Sequence, residues 1–176
     1  LSFSHKFYTF VANINIMSLE KVVSIVLFVV IAGCAGQPNK KNGLNLMGYG
    51  IPFTIMAPDD VQVTKLGAGS LTDVNIHNND GYDIQVFMGN AFTSANTKLK
   101  QQKKDQVIEL SDFSKIVEEF DSGFIFEKKH VGEARSYDFF VIMTLSDKEI
   151  SFQGGNSKNF TETEVKKMVK SILDGY

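Results

Sequence analysis

Few side chains in this sequence could do chemistry. It has one cysteine, three histidines and a single arginine. His5 lies in the first sixteen residues, so His77 and His130 are the candidate general bases. Each would need a nucleophile or water beside it and a carboxylate to orient the ring. His77 borders "NNDG" and His130 precedes Val131-Gly132, so both read as residues at strand ends. A zinc site would need more ligands at close spacing, and no usual spacing occurs. "DVNIHNNDG" has the acidic look of a calcium loop. Counting from Asp73, however, its sixth residue is Asn78 where glycine is required, and its twelfth is Ile84 where glutamate is required. Neither a GxSxG elbow nor a Walker A pattern is present. Gly154-Gly155 in "FQGGNSKNF" could form a nest of amides for an anion, but no lysine follows in phosphate-loop register, and a strand-to-helix turn is expected. The carboxylates Asp59-Asp60, Glu118-Glu119, Glu133 and Asp138 complete the inventory. Adjacent strand residues point to opposite faces, so Glu118 and Glu119 cannot share a site, while Arg135 can pair with a carboxylate one strand away. No catalytic residue, cofactor or metal is expected.

The lone thiol points elsewhere. Cys34 closes the most apolar run of the chain, "VVSIVLFVVIAGC", which Lys21 precedes and Met17 can start. Val22 to Ala32 has the length of a signal-peptide core and falls short of the roughly 20 residues of a spanning helix. A buried helix ending in a small apolar cysteine is the alternative. Ile31-Ala32-Gly33-Cys34 resembles the lipobox of bacterial lipoproteins. That resemblance implies recognition of Ile31, Ala32 and Gly33 by signal peptidase II, and diacylation then N-acylation of Cys34. Residues 1–16 are expected to be upstream translation, 17–33 a signal peptide, 34–50 a polar tether and 51–176 a single domain.

Dropping Lys6, Lys21 and Glu20 with the leader leaves 16 basic against 19 acidic residues over 34–176. This balance disfavours nucleic acid as a partner. No thiol remains after Cys34, which excludes disulfides and cysteine nucleophiles from the domain. Lys98, Lys100, Lys103 and Lys104 read as a solvated helix face.

The elements follow from periodicity. "PFTIMAP", "VQVTKL", "TDVNIH" and "YDIQVFM" alternate as four strands, with "NNDG" as the hairpin between the last two. Ser94 to Leu110 then shows a weak helical stripe through Ala95, Leu99, Gln102, Gln106 and Leu110. "FSKIVEEF", "FIFEKKHV", "RSYDFFVIMTL" and "EISFQ" follow as a second meander, with turns at Asp121-Ser122-Gly123 and Ser146-Asp147-Lys148. The unbroken run Phe139 to Met143 predicts a strand covered on both faces. Thr161 and Glu164 are set for a capping box, Phe160 and Val165 for a staple, and Val165, Met168, Val169, Ile172 and Leu173 form an apolar stripe. Gly175 is the expected stop. The sum is α+β, an antiparallel sheet of two meanders with helices on one side.

A meander opened by "PFTIMAP", a helix after the fourth strand, a second meander and a closing "FTETEVKKMVKSI" helix resemble the PsbP-like fold over roughly residues 50–173. More narrowly, "GFIFEKK", "YDFF", "DKEISFQGG" and "FTETEVKKM" are similar to small lipoproteins of Bacteroidota-type bacteria. The resemblance implies a non-enzymatic binding or accessory module that takes a protein, a glycan or a small apolar ligand. It carries over no catalytic residue. With Ala35 rather than aspartate after the cysteine, the lipid on Cys34 is expected to hold the protein at the outer membrane, facing the periplasm. The competing expectations are a small hydrolase or transferase using His77 or His130, and a structural subunit of an envelope complex.

Overall fold

In the computed structural model the described residues are 43–67, 71–132 and 134–175. They belong to one compact unit. The leader, the lipobox with Cys34, Glu133 and the Gly69 turn residue lie outside them.

The first structure formed is β1 (Leu44–Asn45), a 3₁₀ turn (Leu46–Tyr49) and β2 (Thr54–Ile55), with β1 and β2 paired antiparallel. Asn45 caps the turn by accepting from the Met47 amide, and Gly50 closes it in the left-handed conformation, φ 89°. This corrects the C-terminal part of the expected tether; its residues 34–42 lie outside the described residues. Leu46 is fully buried in the main core, so the fold already includes residues 44–49. Composition misled here because two leucines, Leu46 buried and Leu44 packed beside it, and a capped turn hide in a Gly/Asn-rich stretch. "PFTIMAP" accordingly supplies β2 of this small sheet and adds no strand to the first meander.

The main sheet contains β3 (Gln62–Lys65), β4 (Thr72–His77), β5 (Asp83–Asn90), β6 (Phe113–Phe120), β7 (Gly123–Lys129), β8 (Arg135–Leu145) and β9 (Lys148–Gly154). All neighbours are antiparallel, in the order β3-β4-β5-β9-β8-β7-β6. Two meanders are thus joined through β5 and β9, with Val86 opposite Phe152. The β4–β5 hairpin turns at Asn78–Gly81 as the sequence predicts. The Asn78 side chain accepts from the Asp80 and Tyr82 amides, and Gly81 takes φ 93°.

Helix α1 (Asn96–Ile108) joins the meanders and α2 (Glu162–Leu173) closes the chain. They lie on opposite faces of the sheet, which corrects the expectation of helices on one side. Val165, Met168, Val169 and Ile172 of α2 share a core with Ile125, Phe139, Val141 and Phe152. Val107 of α1 clusters instead with Phe124 and Phe126, and Phe140 packs on them. Successive strand residues alternate faces, so Phe139, Val141 and Met143 serve one helix side while Phe140 and Ile142 serve the other. This is the doubly covered strand expected from the apolar run, and it sits under both helices.

The α1 face differs from the expected stripe. Leu99 and Val107 are buried, whereas Gln102, Gln106 and Leu110 are exposed. The lysine run is also more than a solvated face. Lys100 donates to the Phe120 carbonyl, Lys100 and Lys104 pair with Glu119, and Lys103 lies 5.8 Å from the Phe140 ring centroid. Their methylene stems roof the sheet while the ammonium groups reach water or a carboxylate. Glu118, one residue earlier, pairs with Lys166 of α2 on the other side, as the alternation requires.

Helix α2 follows its sequence closely. The Thr161 side chain accepts from the Glu164 amide, and the Glu164 carboxylate accepts from the Thr161 amide. The one displaced position is Leu173, 39% exposed; Ser171 is buried in its stead, its hydroxyl 2.7 Å from that of Tyr82. Burial pushes the Tyr82 phenol up to about 12. Gly175 is needed for space rather than for a left-handed turn, since a β-carbon there would overlap the Thr54 carbonyl.

The Lys158 ammonium, 2.6 Å away, and the Thr161 amide hold the Glu164 carboxyl at about 2, below its ordinary 4.5. A depressed carboxyl stabilises the fold above its unfolded pKa and loses that contribution as pH falls through the folded one. Stability should therefore decline between pH 4.5 and 2. Glu164→Gln should flatten this part of a pH series of thermal melts.

Candidate functional site

Three surfaces could serve a ligand, built from strand ends and strand faces together with the loops beside them.

The first is a polar hollow of about 260 Å³ where β7, β8 and β9 end, bordered by Lys128, Ser136, Tyr137, Asp138, Gly155 and Lys158. Lys128 stands opposite Ser136 in the register and reaches Asp138 at 2.9 Å. Lys158 is taken by Glu164. Both cations facing the hollow are therefore already neutralised. His130, at the β7–β8 turn, places Nε2 2.6 Å from the Ser136 hydroxyl. Ser136 is 2% exposed, and among the described residues no carboxylate bonds the other His130 nitrogen. The pair lacks the third group that would fix the ring tautomer for base catalysis.

Beneath this hollow lies the glycine pair. The Gly154 amide donates to Asp138 Oδ1 at 3.1 Å, the Gly155 amide to the Asp83 carbonyl at 3.0 Å, and the Ser157 amide to Asp83 Oδ2 at 3.3 Å. The Ser157 hydroxyl also bonds that carboxylate. These amides are consumed by the protein's own acceptors, so the loop is a strand-to-helix turn and no anion nest. Side chains are excluded at both glycines by the same carboxylates. A β-carbon at Gly154 would come within 2.6 Å of Asp138 Oδ1, and one at Gly155 would overlap the buried Asp83 carboxylate. Gly155→Ala should cost about 1–3 kcal/mol by overpacking. In a double-mutant cycle, Asp83→Ala should remove most of that penalty, because the clash is with Asp83 itself. Additive losses in urea melts would show the clash to lie elsewhere.

The opposite side of β8 carries Glu127, opposite Tyr137 in the register and 3% exposed. Ser114 donates to it at 2.8 Å, Tyr137 at 3.3 Å, and Arg135 and Lys115 lie at 3.5 and 3.8 Å. The Ser114 bond, with those cations, lowers its pKa. Arg135 thus pairs across strands as its position suggests. The cluster ties β6, β7 and β8 together, and Glu127 is held ionised, unsuited to donate a proton.

The second surface is the face of β3, β4, β5 and β9 that α1 leaves uncovered. It presents Asp73, Asn75, His77, Gln85 and Gln153. Gln85 donates to Asp73 at 3.2 Å, and Gln153 to Gln85 at 3.5 Å. His77 belongs here, and His130 belongs to the hollow. Four strand spacings separate β4 from β7, about 19 Å. The two histidines therefore do not combine. Asp60, from the acidic pair, accepts from the Asn78 side chain at 3.0 Å and helps close the adjacent hairpin. No group of three or more potential metal ligands occurs among the described residues.

The third surface is an apolar groove of about 320 Å³ at the other end of the sheet. Met47 and Phe53 from the β1–β2 segment form one wall, and Met143, Leu145 and Ile150 from the β8–β9 hairpin form the other. Sequence reasoning missed it, since it assigned half of the first wall to a tether. The buried Leu46 and the "NLMGYG" turn, a capping asparagine followed by a closing glycine, were the available signal.

No protein-family model matches the chain, and neither a curated protein nor a solved structure matches it.

Proposed function

We propose that this chain is a lipid-anchored lipoprotein of the bacterial cell envelope, with a PsbP-like domain that acts as a non-enzymatic binding module. The observation that carries the anchor is the eleven-residue run Val22 to Ala32, apolar apart from Ser24, which leads through Gly33 to the only cysteine of the chain. Of the three ligand classes weighed above, a small apolar ligand fits best. The groove has the volume at which small-molecule sites begin, is lined by Met, Phe, Leu and Ile, and is open at one end of the sheet. The polar hollow, by contrast, has its cations paired internally.

Labelled palmitate fed to cells tests the anchor. The wild-type chain should incorporate it, and Cys34→Ser should incorporate none and persist as an uncleaved precursor. A labelled Cys34→Ser protein sinks the lipoprotein reading. The His130–Ser136 contact favours one competing reading, a small hydrolase with Ser136 as nucleophile. Labelling of Ser136 by a fluorophosphonate would establish that reading, and an inert Ser136 would dismiss it.

A further inference from the structure

The register brings several loops to the groove end of the sheet. Lys65 pairs with Val74 at the β3–β4 turn, Thr72 with Met88, and Asn90 with Lys148 at the β8–β9 turn. The Ala91 amide donates to the Asp147 carbonyl, which fixes the start of the loop into α1 beside that turn. Large apolar side chains project into water from these loops, from the end of β8 and from the 3₁₀ turn beside the groove. Phe92 is 97% exposed, Met47 60%, Leu71 57%, Leu66 56% and Leu145 45%. Turn and loop tips seldom carry so many large apolar groups without a surface to meet, because each would gain by leaving water.

Where the chain enters the fold identifies that surface. Gly43 leads into β1 on the wall of the groove, next to Thr54, which lines the groove itself. Nine residue steps separate Cys34 from Gly43, a reach of at most about 30 Å. Strand β8, with 11 residues, is itself about 35 Å long. A lipid on Cys34 therefore keeps the groove end within one tether length of the bilayer, and the far end of the sheet can come as close only if the domain turns over.

We propose that the rim formed by Met47, Leu66, Leu71, Phe92 and Leu145 inserts into the interfacial layer of the membrane that holds the Cys34 lipid, with the groove opening onto that membrane. This inference rests on the anchor reading above. Two contacts then hold the domain, the acyl chains and the loop tips, and a weak second contact suffices because the tether makes it intramolecular. A groove facing the bilayer would draw its apolar ligand from the lipid phase.

The chain contains no tryptophan, which permits single reporters. Phe92→Trp and Val131→Trp each replace a fully exposed side chain, at the groove end and at the β7–β8 turn of the far end. The acylated full-length proteins would be reconstituted into phosphatidylethanolamine/phosphatidylcholine vesicles with bromine on the acyl chains. Insertion to the depth of interfacial anchors, about 5–10 Å, should quench the Phe92→Trp emission about twofold and leave Val131→Trp unchanged. Protein that floats with the vesicles while its Phe92→Trp emission stays unquenched overturns the docking and leaves the anchor standing. Quenching of Val131→Trp in place of Phe92→Trp overturns it as well, by assigning contact to the opposite end. Protein without acyl label that does not float refutes the anchor and the docking together.

Discussion

Phe152→Ala should lower stability by about 3–5 kcal/mol. Phe152 is fully buried at the centre of β9, the strand that joins the two meanders. It stands opposite Val86 on one side and Val141 on the other, and its ring centroid is 5.1 Å from that of Phe53. Removing the ring empties space between the sheet and the β1–β2 segment, and strands paired on both sides cannot collapse into it. Against a typical total of about 5–15 kcal/mol, this change should populate unfolded protein without denaturant. Phe92→Ala is the matched control: the same residue type, 97% exposed, with an expected effect within about 0.5 kcal/mol in the absence of membrane. Urea melts of protein starting at Ala35 would compare them. Equal midpoints would mean that β9 is not the centre of the core.

Ile172→Ala comes next, at about 2–5 kcal/mol. Ile172 is fully buried in the same core, two turns after Val165 on the face of α2 that meets the sheet. Its loss leaves a cavity under the helix. Thr161→Ala, at the N-terminus of that helix, should cost only about 0.5–2 kcal/mol, since one capping bond is lost where water can replace it. Lys170→Ala removes an exposed i,i+4 pair with Asp174 and should cost less than about 0.5 kcal/mol. The order Ile172, Thr161, Lys170 is the test. An Ile172→Ala protein no weaker than Lys170→Ala would show that α2 is not docked.

Much of the local structure was legible because its causes are local. The box at Thr161 and Glu164 needs only two side chains three residues apart, and it formed as read. The Asn78–Gly81 hairpin needs only a turn whose glycine accepts positive φ. Phe139 to Met143 announces burial on both faces because both strand faces are apolar in one run. The weak α1 stripe failed for a physical reason too. With Leu99 and Val107 as its buried apolar residues, the helix is oriented by lysines, and lysine stems do not register as apolar in a sequence pattern.

What the sequence alone determined is the α+β class, most of the strands, both helices and the capping of α2, all of which arise from neighbours in the chain. The tertiary structure decided the rest. It placed the helices on opposite faces, drew residues 44–49 into the core, left α2's Leu173 at the surface, and gave Gly154-Gly155 their meaning through Asp138 and Asp83, which are 16 and 72 positions away in the chain. It also set His77 and His130 four strands apart and formed the groove from two distant segments. Each of these depends on which strand lies beside which. That order is set by the antiparallel pairing of β5 with β9, a contact between residues 58 to 70 positions apart whose energy no local pattern encodes.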